Sequence, residues 1–366
     1  FMDKEYIFTE DPNSEIWQTI LQFSYEANIK RYLTEHSFTH GDELINNISG
    51  SILQAYEYYS AAEKVNLQIK PLLLYYGTTN LLYGICNMMS GQINTIIDHG
   101  MKIDHSQSCS CIGETKIKFL NPEKGGIHVL AKQLGYTVDL TKFGEWSVKE
   151  MFSSIPELQT NYLKCYAENF SNTMMLEQFN TPEGKLEKIN ISGKNIDEVT
   201  EQITKIEGFD KSYLRPNISS KNDFLILRHK INGEDISFLS YSEQPFLKVG
   251  HIKNQNLITL PQILYMYIAL FALGSLCRYH PEIWSPFVKN DNSGEKLLVE
   301  KFLYYAKRLI PNYIVNYIYD CNMIYSNDKY KTIDTVKLVS EHQVQEMIKR
   351  EIEEQNNVRM VMKYDF

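Results

Sequence analysis

Ile258 to Cys277 reads ITLPQILYMYIALFALGSLC, 20 residues without a charge. A helix of that length can cross a bilayer, so this run decides between a membrane protein and a globule built around one apolar helix. Pro261 lies inside it and suits a first helical turn, where its missing N–H costs nothing. The helix is therefore expected to begin at Pro261, and what remains has the length of a buried core helix. No second run of this kind occurs, and the flanks read as ordinary globular sequence. The expectation is a core helix and no membrane.

CRYHPEIW, Cys277 to Trp284, closes the run. A residue before proline is pushed out of the helical region, so the helix is expected to end at Tyr279, with Arg278 and His280 at its C-terminal end. One reading is a structural corner in which Arg278 bonds the last free carbonyls and favours the helix dipole. The other is a pocket for an anion or nucleotide. The negative helix end favours the structural corner.

The remaining composition is that of a soluble protein: 366 residues, 43% hydrophobic and 22% charged. That is far from a disordered profile. The 25 tyrosines stand out; each brings a large apolar face and a hydroxyl that needs a partner when buried. A net charge of −8 gives the whole chain no general attraction for a phosphate backbone, so nucleotide or RNA partners are not favoured. The partner classes left open are a second copy of the chain or another protein. Phe1 precedes Met2, and the stretch from Met2 has no signal-peptide core. Six scattered cysteines suit a reducing cytoplasm.

Helical spacing dominates both ends. Asn13 to His36 carries Ile16, Ile20, Phe23 and Ala27 on one face and reads as a single helix. A second helix shows Ile52, Ala55, Tyr59 and Ala62. The third, from Lys70, has Pro71 in its first turn and glycines at 77, 84 and 91. Gly91 is expected to end it, while Gly77 and Gly84 would let a neighbouring helix approach closely. Pro156 marks a break in a later helical stretch, and Pro311 a kink or boundary near the end. The middle alternates instead: KLEKINISG, then DFLILRHKINGEDISFLSYSE, read as two strands joined at Asn232-Gly233. Between them a short helix is expected from Asn195. The fold class is therefore a mainly α-helical α+β protein with a small β-rich insertion. The expected regions are 2–182, helical; 183–256, the insertion with its hairpin; and 257–366, helical and packed on the first. The tail from Ser340 reads as a charged surface helix.

Candidate chemistry is sparse. DHGMKIDHSQSCSC holds His99, His105, Cys109 and Cys111, all good zinc ligands. Cys109-x-Cys111 is too tight for a zinc knuckle, so a polar loop without metal is the preferred reading. Arg31 and His36 are spaced as in ribonucleases where arginine stabilises phosphate and histidine moves a proton. A solvated helix end reads as well there. Tyr76 and Asn80 share a helix face, and a buried asparagine needs hydrogen bonds. The common phosphate-loop, nucleophile-elbow and metalloprotease signatures are missing from the sequence, and no cofactor is expected.

KPLLLYYGTTNLLYGI (Lys70 to Ile85), DHG (Asp98 to Gly100) and CRYHPEIW resemble, in that order, segments of the YaaC-like family of bacterial proteins. The resemblance runs from about residue 45 to 320. It implies a cytoplasmic bacterial protein and carries no reaction with it. The helical pattern is also similar to HEPN-like domains, which recur in toxins and antiphage systems. That likeness implies an arginine and a histidine four to six residues apart; Arg278 and His280 are only two apart. Two functions follow as expectations. One is a binding, assembly or sensor subunit in stress response or phage defence, with ligand contacts from Tyr76, Asn80, Arg278 and His280. The other is a metal-independent ribonuclease using Arg278 or Arg31 with His280 or His36.

Overall fold

The computed structural model describes residues 3–105, 111–167, 171–181, 184–190, 200–201, 203–204, 224–229, 237–241, 244–327, 346 and 349. Contacts divide the chain into two compact units, Phe1–Tyr166 with His251–Thr332, and Ala167–Gly250 with Ile333–Phe366. The fold is mainly helical with small sheets, as the class α+β requires.

In the larger unit β1 (Asp3–Phe8) is followed by α1 (Pro12–Leu21). Asp11 caps α1 by accepting the N–H groups of Asn13 and Ser14, both at 3.1 Å, and Pro12 takes the first turn. The single helix expected over 13–36 is in fact two. A 3-10 turn at Gln22–Ser24 and extended backbone at Tyr25 (φ −94°, ψ 126°) separate α1 from α2 (Glu26–Glu35). The break resets the buried face, so Ala27 is exposed and Ile29 and Leu33 are buried. No Gly or Pro marks it. Polar side chains satisfy the freed carbonyls: Ser24 donates to Leu21 at 2.7 Å and Asn28 to Gln22 at 2.9 Å.

α3 (Asp42–Glu63) and α4 (Lys70–Ser90) form a close pair. Ile52, Ala55, Tyr59 and Ala62 are buried as their spacing predicts. A Cβ on Gly77 would lie 2.7 Å from the Tyr59 ring, and one on Gly84 would lie 2.9 Å from Ser51 Cβ and 3.3 Å from the Ile48 carbonyl. The glycines thus set the helix separation, which explains their presence despite poor helix propensity. Gly84→Leu should lower stability by about 1–3 kcal/mol through overpacking. Urea denaturation checks this, and an unchanged midpoint would refute it. Gly91 (φ 66°) ends α4 in the left-handed conformation, as expected.

β2 (Met101–Asp104), β3 (Lys116–Phe119) and β4 (Trp146–Ser147) make a three-stranded antiparallel sheet. α5 (Gly126–Gln133) follows β3; α6 (Val148–Ser153) and α7 (Gln159–Cys165) follow β4. Pro156 opens a 3-10 turn between α6 and α7, the break its position predicts.

The smaller unit contains β5 (Thr173–Thr181), β6 (Gly184–Asn190), β7 (Phe224–His229), β8 (Ser237–Leu239) and β9 (Pro245–Lys248). Their order is β7-β6-β5-β9-β8, with antiparallel pairs throughout. The strands on either side of Asn232-Gly233 therefore do not pair with each other. Each lies at an opposite edge of the sheet, because β7 finds its partner in β6 and β8 in β9. The Asn-Gly dipeptide itself, the helix expected from Asn195 and the tail helix from Ser340 lie wholly or largely outside the described residues.

The larger unit resumes with the hairpin β10 (His251–Lys253) and β11 (Asn256–Ile258), turned at Asn254 and Gln255, both at positive φ. α8 (Gln262–Tyr279) carries the charge-free run as far as Cys277, and Pro261 sits at its N-cap. It is long and apolar enough to cross a membrane, yet every residue from Ile263 to Leu276 is buried by the fold. A helix apolar all round belongs in a core. α9 (Pro281–Asn290) follows at once, then α10 (Glu295–Tyr319), which runs through Pro311 unbroken. β12 (Cys321–Ser326) pairs in parallel with β1, Asp3 opposite Cys321. A buried ladder fastens it: Arg308 to Asn312 at 3.0 Å, Asn312 to the Met323 carbonyl at 3.0 Å, and the Met323 N–H to Asn316 at 2.9 Å.

Candidate functional site

The stretch from Cys277 to Trp284 divides into anchors and presented groups. Trp284 is buried, and its ring N–H donates to the Gln68 carbonyl at 3.0 Å. The Cys277 thiol donates to the same carbonyl at 3.0 Å, and the Gln68 amide reaches Ser285 at 2.9 Å. His280 (φ −130°, ψ 56°) is the joint between α8 and α9. Its N–H donates to Leu276, and its carbonyl accepts from Ile283 and Trp284 at 3.0 and 2.9 Å. With both ends pinned, Arg278 and Tyr279 are turned to the surface and His280 is half-buried.

These three line a cleft of about 260 Å³ whose other walls are α4 and β2. The Arg278 guanidinium donates to the Tyr76 hydroxyl and lies 5.8 Å from the Tyr76 ring and 4.9 Å from the Tyr279 ring. These are cation–π distances. Lys102, exposed on β2, is also among the lining residues, and His99 and His280 add two imidazoles. No carboxylate is among the described residues that line the cleft. Glu282 stands at the rim, its Oε1 3.1 Å from His280 Nδ1.

His99 is placed by two glycines. Gly100 (φ 69°) packs on Gly125 so closely that a Cβ on Gly100 would lie 2.9 Å from Gly125 Cα. The Gly126 N–H donates to the Asp98 carbonyl at 2.8 Å and Ile127 to that of His99 at 3.1 Å. The Asp98 carboxylate accepts the Gly100 N–H at 2.7 Å and the Asn121 amide, and so is occupied in shaping the loop. His99 Nδ1 is 2.7 Å from the Tyr75 hydroxyl, and its ring lies 5.7 Å from Phe271. Burial lowers its pKa from the ordinary value; Asp98 opposes this and Arg278 adds to it. Burial drives the Tyr75 hydroxyl far above its usual range, leaving it a neutral hydrogen-bonding group.

Of the expected ligand contacts, the cleft unites Tyr76, Arg278 and His280. Asn80 lies one turn along α4, where its amide donates to the Tyr76 carbonyl at 3.0 Å, and it is not among the lining residues. Arg31 and His36 are elsewhere, at the exposed end of α2. His36 Nδ1 is 2.8 Å from the Tyr32 carbonyl and its ring stacks on Tyr32 at 4.1 Å. Among the zinc-type residues, Cys109 lies outside the described residues, His99 belongs to the cleft, and His105 is 2.7 Å from the Thr115 hydroxyl. Among the described residues no three His, Cys, Asp or Glu side chains are grouped to hold a metal. Sequence reasoning passed over Tyr75, Lys102 and Phe271 as cleft residues.

Among the described residues, two further polar clusters hold a carboxylate. Glu295, 1% exposed at the start of α10, accepts the N–H groups of Ile112 and Gly113 at 2.7 and 2.6 Å and the Tyr166 hydroxyl at 2.6 Å. The second joins Ser154, His251 and Glu150. Ser154 Oγ is 2.6 Å from His251 Nε2, and His251 Nδ1 is 3.8 Å from Glu150. Their order imitates a nucleophile, base and acid, but Ser154 is 1% exposed and His251 5%. The Ser154 hydroxyl also bonds the Glu150 carbonyl at 3.0 Å, so it serves as a helix-end link.

The family model described as "YaaC-like Protein" matches residues 10–318. No curated protein and no solved structure gives a match.

Proposed function

This chain belongs to the YaaC-like family, and from that premise we propose that it is a cytoplasmic binding protein, a sensor or assembly subunit, whose cleft at Arg278 holds a small anion. One observation carries the reading: Arg278, His99 and His280 meet on one cavity with no carboxylate among its described lining residues, in a chain of net charge −8. Local positive potential against an acidic background focuses an anionic ligand there. The negative end of α8, which argues against an anion, is met by the start of α9 at the same residue, His280. Tyr76 and Tyr279 hold the guanidinium in place, which reduces the ordering cost of binding.

Titrating the chain with inorganic phosphate and following its melting temperature tests this. Phosphate is expected to raise the melting temperature, and Arg278→Gln is expected to weaken binding at least about tenfold, the loss typical of a charge-assisted pair. Incubation with mixed RNA separates binding from catalysis. Cleavage abolished by His280→Ala would replace the binding reading with the ribonuclease one.

A further inference from the structure

We infer that the ligand is a nucleoside phosphate of mononucleotide size, with its phosphate at Arg278 and His280 and its base in the apolar slot between α4, α8 and β2. This rests on the anion-binding reading above and names the ligand class for the same cleft. The first argument is size. At about 260 Å³ the cavity falls just below the usual ligand range of roughly 300–1,000 Å³, which bounds the occupant from above. One nucleotide fits that scale; a dinucleotide does not.

The second argument is the division of the walls. Arg278 and His280 sit at the helix joint, and Leu72, Met101, Ile103 and Phe271 supply apolar lining. Leu72 and Ile103 stay partly exposed, so apolar surface is available to a flat ring. A guanidinium and two imidazoles match the three free oxygens of a phosphate better than the two of a carboxylate. The planar fork of Arg278 suits phosphate oxygens. The Tyr75–His99 pair, joined at 2.7 Å, and the Ser275 hydroxyl supply polar groups for a ribose or a base edge.

The third argument excludes a long strand. A polyanion would extend beyond the cleft over a chain of net charge −8, and sequence-independent affinity for such strands comes from many phosphate contacts. A single nucleotide needs only the basic patch within the cavity.

Isothermal titration of the full chain tests the inference, with inorganic phosphate, ribose 5-phosphate, benzoate and the four ribonucleoside monophosphates as probes. At least one monophosphate should bind ten times or more tighter than ribose 5-phosphate. Arg278→Gln should weaken both. Ile103→Asn should narrow the ratio between the nucleotide and ribose 5-phosphate affinities. Equal affinity for nucleotide and ribose 5-phosphate would overturn the nucleoside assignment while the anion site stands. Benzoate binding as tightly as the nucleotides, or an oligonucleotide outcompeting them, would also overturn it. Binding of none of the phosphates would sink the inference together with the anion-binding reading.

Discussion

Replacing Glu295 by alanine is expected to cost the fold about 3 kcal/mol or more. The carboxylate is the shared acceptor for the Ile112 and Gly113 N–H groups and the Tyr166 hydroxyl, all within 2.7 Å. Each buried group left unpaired costs about 1–3 kcal/mol. Relief of the carboxylate's own desolvation offsets part of that sum. Burial, and then Glu295 itself, pushes the Tyr166 hydroxyl far above its ordinary pKa, so the phenol remains a proton donor to the carboxylate. Glu295→Gln keeps one acceptor oxygen but turns an NH₂ toward N–H donors, so it should fall between wild type and Glu295→Ala. Urea midpoints in the order wild type, Gln, Ala are the expected result. An alanine variant as stable as wild type would mean that the three donors find other partners.

The helices were legible because their determinants are local. The glycines at 77 and 84, the cap at Gly91, the break at Pro156 and the end of α8 at Tyr279 follow from spacing and from the backbone limits of Gly and Pro. The break at Tyr25 was not legible, since side-chain bonds from Ser24 and Asn28 compensate it without a breaker residue. Nor was the pairing of β1 with β12, which joins residues at opposite ends of the sequence. The order of the five-stranded sheet failed for a related reason. Asn232-Gly233 predicts a local hairpin, and longer-range pairs with β6 and β9 replaced it.

The candidate site divides in the same way. Arg278 and His280 could be singled out because Pro281 fixes where their helix ends. Tyr76 could be grouped with them by resemblance alone. Lys102 and Phe271 join the cleft only through the packing of β2 and α8 against α4, which no short spacing records. His99 was visible, but as a zinc-type residue; its place in the cleft depends on contact between Gly100 and Gly125. Glu295 offered no signal, because a buried carboxylate and a surface one at a helix start look alike in sequence.

His251 should make the fold sensitive to mild acid, by up to about 3 kcal/mol between its ordinary titration range and its folded one. Burial lowers its pKa from 6.5 to about 4; Glu150 opposes the shift and Lys253 adds to it. Its other neighbours, Ser154, the Trp146 ring at 5.0 Å and the Tyr265 ring at 5.8 Å, offer no charge to rescue the imidazolium. The unfolded chain therefore binds the proton more readily than the folded one. The neutral histidine's contribution is complete above pH 6.5 and lost progressively as pH falls toward about 4. Burial also lowers the pKa of His99, His105 and His128, and they act in the same direction, so total slope cannot identify the group. The difference between wild type and His251→Gln can. Glutamine does not titrate, so the variant should be less stable near neutral pH and should lose less on acidification. Carboxylates also titrate toward the acid end of this window, with Glu near about 4.3, but they do so in both proteins and cancel in the difference. The stability gap between the two proteins should narrow across that window. A gap that stays constant would assign the acid sensitivity to other groups and leave His251 as packing alone.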